Sequence, residues 1–188
     1  MGDGQQVTFF ANGSDFKVSS SGKVSFGRQV ILHEMVHLLM YNSEITDYLK
    51  IPTWYAEGIA EYFGTYMMKK GEIFLGDVRL VGDRFYSMWR DGRGLSSIDT
   101  QSLLRADYRG RIESNHSKDR RYIEKFYARS FALVHYLNAD PERRLQLKKY
   151  LYALKKGFSI DEAFQAIFNM SYEEMDDKVT DYMEGAFI

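Results

Sequence analysis

The chain contains no cysteine. Disulfides, iron–sulfur clusters and thiolate zinc sites are therefore excluded, and any metal must sit on His, Asp or Glu. Only 2 prolines occur in 188 residues, and no low-complexity tract, internal repeat or long linker interrupts the sequence. No run approaches the roughly 18 apolar residues that a membrane span requires. Charge of one sign is not in excess: 25 Lys and Arg against 26 Asp and Glu give a net charge of −1. That balance argues against a dedicated nucleic-acid or anionic-membrane binder, because counterion release needs a clear cationic surplus. The start, Met1-Gly2-Asp3-Gly4-Gln5-Gln6, has no basic stretch leading into an apolar core. No signal peptide is expected, and the chain is expected to be soluble, with its compartment left open.

What is present is ordinary for a globular protein: 45% hydrophobic and 27% charged residues. A chain of this size buries about 70% of its unfolded surface and needs no staple. One domain over 1–188 is expected, with a β region, two site helices and a hairpin in 1–81 and a helical lobe in 82–188. Short β-type runs fall at 7–10, 16–18 and 23–26, punctuated by Gly13, Gly22 and Gly27. From Arg28 to Tyr41 the pattern becomes that of a helix apolar on most sides, which predicts burial. A polar link leads to Pro52, and Thr53 is placed to cap a helix from about Trp54 to Lys69. Gly71 and Gly76 frame an expected hairpin over 72–81. The stretch 82–118 mixes short helical pieces with Gly-rich links. Helices are expected at 119–138, 141–156, 160–169 and 172–186, the last two opened by capping boxes, Ser159-x-x-Glu162 and Ser171-x-x-Glu174. The expected class is α+β, mainly α.

Among the few polar residues of the 28–41 helix are His33, Glu34 and His37, in the pattern His-Glu-x-x-His. Residues four apart share a helix face, so both imidazoles can reach one ion. Glu34 lies about 100° round the axis. It is poorly placed to bind that ion but well placed to act as a general base on a water bound to it. Three polar groups in an apolar helix need partners, and a metal supplies them together. A catalytic zinc needs a third protein ligand and leaves its fourth position to water. Glu57, on the next expected helix, is the candidate, and Gly58 beside it permits close helix approach. Glu61 shares the face of Glu57 and can accept a hydrogen bond from the far nitrogen of a ligand histidine, fixing its tautomer. Two imidazoles and a carboxylate favour Zn2+ among divalent ions.

His33-Glu34-x-x-His37 followed by Pro52-x-Trp54-Tyr55-x-Glu57-Gly58-x-Ala60-Glu61-Tyr62 resembles the gluzincin metallopeptidases, most of all the bacterial peptidase-MA-like group. A weaker similarity extends over Tyr127-Ala128-x-Ser130-Phe131-x-Leu133-Val134 and over Phe164 to Tyr182. The resemblance implies a zincin-like core with a short N-terminal β region and a C-terminal helical lobe. It also implies that His33, His37 and Glu57 bind zinc and that Glu34 is the catalytic base. Tyrosine stabilises the oxyanion in related gluzincins, which points to Tyr127, with His135 and His116 as alternatives. The aminopeptidase element Gly-x-Met-Glu-Asn is missing. Only 32 residues precede His33, so an upper lobe that is short or truncated is expected.

The expected function is hydrolysis of peptide bonds in a peptide or protein substrate, by a zinc-bound water that Glu34 activates. The alternative is a catalytically degenerate zincin-like module that binds a peptide or protein partner. Substrate can add as a strand to an edge at 15–20 or 23–26. Trp54 and Tyr55 are expected to pack the two site helices together. Arg143, Arg144, Lys148, Lys149, Lys155 and Lys156 are expected to form a solvated face with acidic residues nearby, so no nucleic-acid partner is expected.

Overall fold

A computed structural model describes residues 26–43, 51–78, 98–106 and 120–186. Its elements in chain order are α1 (Phe26–Asn42), α2 (Thr53–Gly64), β1 (Tyr66–Lys69), β2 (Glu72–Leu75), α3 (Thr100–Arg105), α4 (Arg120–Asn138), α5 (Pro141–Lys155), α6 (Ile160–Phe168) and α7 (Tyr172–Ala186). The mainly helical α+β class expected from the sequence is the class observed. The β runs before residue 26, the substrate edges proposed there and His116 lie outside the described residues. Phe26 itself opens α1 and does not end a strand.

The C-terminal helices form where their local signals place them. Asp140 caps α5 by accepting from the amides of Glu142 and Arg143, and Pro141 occupies the first turn, where its missing N–H costs nothing. Ser159 and Glu162 form a reciprocal capping box at α6. Ser171 and Glu174 exchange the equivalent bonds at α7, at 2.7 and 3.1 Å.

The region around α2 departs from expectation in three ways. Thr53 is the first helical residue and not the cap: Pro52 holds that position, and no side chain caps the helix. The helix ends at Gly64, well short of Lys69, where the Thr65 hydroxyl turns back to the Glu61 carbonyl at 2.8 Å. The chain then runs directly into β1. The hairpin is Tyr66–Lys69 against Glu72–Leu75, with Tyr66 opposite Leu75 and Lys69 opposite Glu72. Its turn residues Lys70 and Gly71 both have positive φ, 53° and 82°, the arrangement that matches strand twist in a two-residue loop.

The core lies between α2, α4 and the C-terminal helices. Trp54, Phe126, Phe131, Leu133, Leu137, Tyr150 and Met175 are among its fully buried side chains. Trp54 therefore anchors α2 to the helical lobe rather than to α1; its ring stands 6.4 Å from that of Tyr150. Gly58 sits where a Cβ would come 2.5 Å from the Ser130 carbonyl oxygen, so α2 lies directly on the backbone of α4. The close approach to α1 is made instead at Gly64, whose Cβ would meet the Gln29 carbonyl at 3.1 Å. At the far side of α4 a buried polar group ties three helices. Arg129 is fully buried and pairs with Asp176 of α7, while Asp176 also accepts from the Thr100 amide at 2.9 Å.

The expectation that α1 is buried on most sides is corrected. Leu39 is 67% exposed and Met35 43%, and Val30 and Tyr41 are exposed too. Among the described residues α1 packs chiefly against α2. One neighbour covers only one stripe of a helix. That stripe carries the polar residues.

Candidate metal centre

The i, i+4 spacing brings the His33 and His37 rings together on the α2 side of α1, with centroids 4.8 Å apart and planes at 75°. Glu57, on the second turn of α2, enters from the opposite side. The three donor atoms form a near-equilateral triangle. His33 Nε2 and His37 Nε2 are 3.1 Å apart, and Glu57 Oε2 lies 3.3 and 3.2 Å from them. Ligands about 2.0–2.1 Å from a tetrahedral ion sit about 3.3 Å from one another, so this triangle has the dimensions of one face of such a polyhedron. Hydrogen bonds alone satisfy it poorly. If both histidines donate to Glu57, two N–H groups face each other across 3.1 Å; if one nitrogen is bare, one of the three contacts loses its proton. His33, His37 and Glu57 are a group that could hold a metal ion.

The surroundings prepare the donors. His33 Nδ1 lies 3.2 Å from Glu61 Oε1. A proton held there leaves Nε2 as the bare nitrogen, the tautomer a metal takes. Burial opposes the charge on Glu57, but hydrogen bonds from His33 and His37, with their positive charge when protonated, outweigh it and bring the carboxyl down to about 2. Glu57 is thus an ionised carboxylate at neutral pH. Among the described residues His37 Nδ1 is buried with no hydrogen-bond partner, whereas His33 Nδ1 faces a carboxylate, so the two histidines are not equivalent.

The structure brings together four residues singled out from the sequence: His33, His37, Glu57 and Glu61. Glu34 is half-buried on the same turn of α1 as His33. Tyr127 stands with its ring edge-on to His33, centroids 5.8 Å apart. His135 is elsewhere. Its Nε2 lies 2.9 Å from the Gly76 carbonyl and its Nδ1 2.8 Å from the Tyr182 hydroxyl, so a neutral ring donates to one and accepts from the other. Burial lowers its pKa, opposed by the Gly76 bond and Asp77. Sequence reasoning missed Gly64, whose bare α-carbon lets α1 come close beside His33. The available signal was its position one turn past Glu61 on the same helix.

Fold and site define a mainly helical protein with a two-histidine, one-glutamate cluster suited to a metal ion. The chain belongs to the family described as "Protein of unknown function (DUF1570)", which matches residues 28–156 and so spans both site helices, α4 and α5. No curated protein and no solved structure matches the chain.

Proposed function

We propose that this protein is a zinc-dependent peptidase of the gluzincin type, built on a zincin-like core. The observation that carries the reading is the triangle of His33, His37 and Glu57, with Glu34 lying between the two histidines in the sequence of α1. The ligand chemistry, two imidazoles and one carboxylate at tetrahedral spacing, suits zinc. A zinc ion held there supplies Lewis acidity, polarising a scissile carbonyl and lowering the pKa of water. Glu34 takes the proton from the attacking water as the new C–O bond forms. It returns that proton to the amine nitrogen as the C–N bond breaks. Glu61 holds His33 in the ligating tautomer. The Tyr127 hydroxyl, on the α4 side of the site, donates to the oxygen on which charge develops.

Metal analysis of the purified protein is expected to give about one zinc per chain. Glu34→Gln is expected to keep that zinc and abolish cleavage of a peptide library. Unchanged cleavage in Glu34→Gln overturns the role of Glu34. Peptide binding without turnover in the zinc-loaded wild type overturns the peptidase and leaves a binding module.

A further inference from the structure

The net charge of −1 conceals a separation of charge between helices. Helix α5 carries Arg143, Arg144, Lys148, Lys149 and Lys155 against Glu142 alone, whereas α7 carries six acidic residues against Lys178. On α5 the basic residues are ordered. Leu145 and Tyr152 are seven residues apart, hence within about 20° of each other on the helix surface. They point outward, 52% and 61% exposed. At 100° per residue, Arg144, Lys148 and Lys155 fall on one flank of this two-residue ridge and Lys149 and Lys156 on the other. Lys156 lies over the Tyr152 ring, 5.2 Å from its centroid. Among the described residues no carboxylate pairs with Lys148, Lys149, Lys155 or Lys156, which stand on the solvated face expected from the sequence. Just past the helix, beyond Gly157, Phe158 is 57% exposed.

We propose that the outer face of α5 docks on the surface of an anionic lipid bilayer. This inference is independent of the metal centre. A ridge only two residues wide is too narrow for a partner helix or groove, which needs an apolar stripe of about 100° or more. A bilayer asks for no such complementarity: isolated leucine, tyrosine and phenylalanine side chains enter the headgroup–acyl boundary one by one. Lysines on both flanks rest their stems beside them and reach out to phosphates. The helix, 15 residues long and so about 22 Å, lies flat along the surface. The acidic helix does not cancel the attraction, since fields decay within about 8–10 Å at physiological salt. Net charge argues against an anionic-surface binder, whereas the distribution of that charge over the helices favours one. A nucleic acid would meet the same lysines and could stack on Tyr152 or Phe158, but it would have no use for the exposed Leu145, which a bilayer takes up.

The test is co-sedimentation of the full chain with vesicles of phosphatidylcholine, with and without phosphatidylserine. Binding is expected only with phosphatidylserine, and it should weaken as salt rises. Lys148→Glu with Lys149→Glu should lower it by on the order of 10-fold or more. Leu145→Ser with Tyr152→Ser, which leaves charge unchanged, should lower it as well, while Lys178→Glu on α7 should leave it as it is. Unchanged far-ultraviolet circular dichroism confirms that each variant is folded. No binding to phosphatidylserine vesicles, or binding indifferent to both α5 variants, overturns the proposal. So does salt-sensitive binding to DNA that displaces the vesicles and persists in the Leu145→Ser, Tyr152→Ser variant, which assigns the face to nucleic acid.

Discussion

The helix pair α1–α2 and the helical lobe α5–α7 handle polar side chains in opposite ways. In the lobe the helix starts are answered locally, Asp140 by two amides, Ser159 by Glu162 and Ser171 by Glu174, while Asp161 is met by Tyr172 and, from α3, by Arg105, at 2.7 and 2.6 Å. In the pair, α2 has no side-chain cap, and buried His33 and Glu57 and half-buried His37 crowd their donor atoms onto one point. The lobe is specified by its own sequence. The pair instead gathers three donor atoms that could hold a metal ion.

Five measurements test that contrast. The largest effect is expected from Glu34→Gln, which should reduce peptide hydrolysis by about 100-fold or more while metal content stays at wild type. Chelation comes next. A metal held by the folded state alone adds about 4 kcal/mol at a free concentration ~1,000-fold above its Kd. Removing it should therefore lower Tm, and hydrogen exchange should quicken in α1 and α2 while α5–α7 keep their protection. Equal loss in both regions would erase the contrast. Asp176→Ala leaves the fully buried Arg129 without its carboxylate and should cost about 3 kcal/mol in chemical denaturation, whether or not metal is present. Asp140→Ala removes the α5 cap and should cost about 1 kcal/mol, again independent of metal. The smallest effect concerns His135. Burial holds its folded-state pKa below the ordinary 6.5, so the unfolded chain takes up the proton first. Its contribution is full above pH 6.5 and declines as pH falls through that value. The slope of Tm against pH in that window should flatten in His135→Gln.

The same contrast explains what the sequence made legible. The lobe helices were read to within a residue or two because caps and boxes are local chemistry. The cluster that could hold a metal was legible because a four-residue helical spacing is rigid. What escaped depended on contacts between distant residues. The end of α2 was set too late because its stop comes from the Thr65 turn and the following hairpin. Lys70 at the first turn position hides a signal that Asn or Asp would have given. The burial of α1 was overestimated because an apolar composition does not say how many neighbours will cover it. Arg129 was missed because a charged residue in an apolar helix reads as surface until Asp176 arrives from 47 residues away.

Gly58 has a consequence for how the centre keeps its shape. A single hydrogen atom there separates α2 from the Ser130 carbonyl, and the neighbouring residue is Glu57. A methyl added at that point would meet the Ser130 carbonyl and the Val134 side chain, and relieving those contacts is expected to shift α2 and Glu57 with it. The spacing of the His–Glu cluster is thus gauged by the thickness of a backbone contact between α2 and α4.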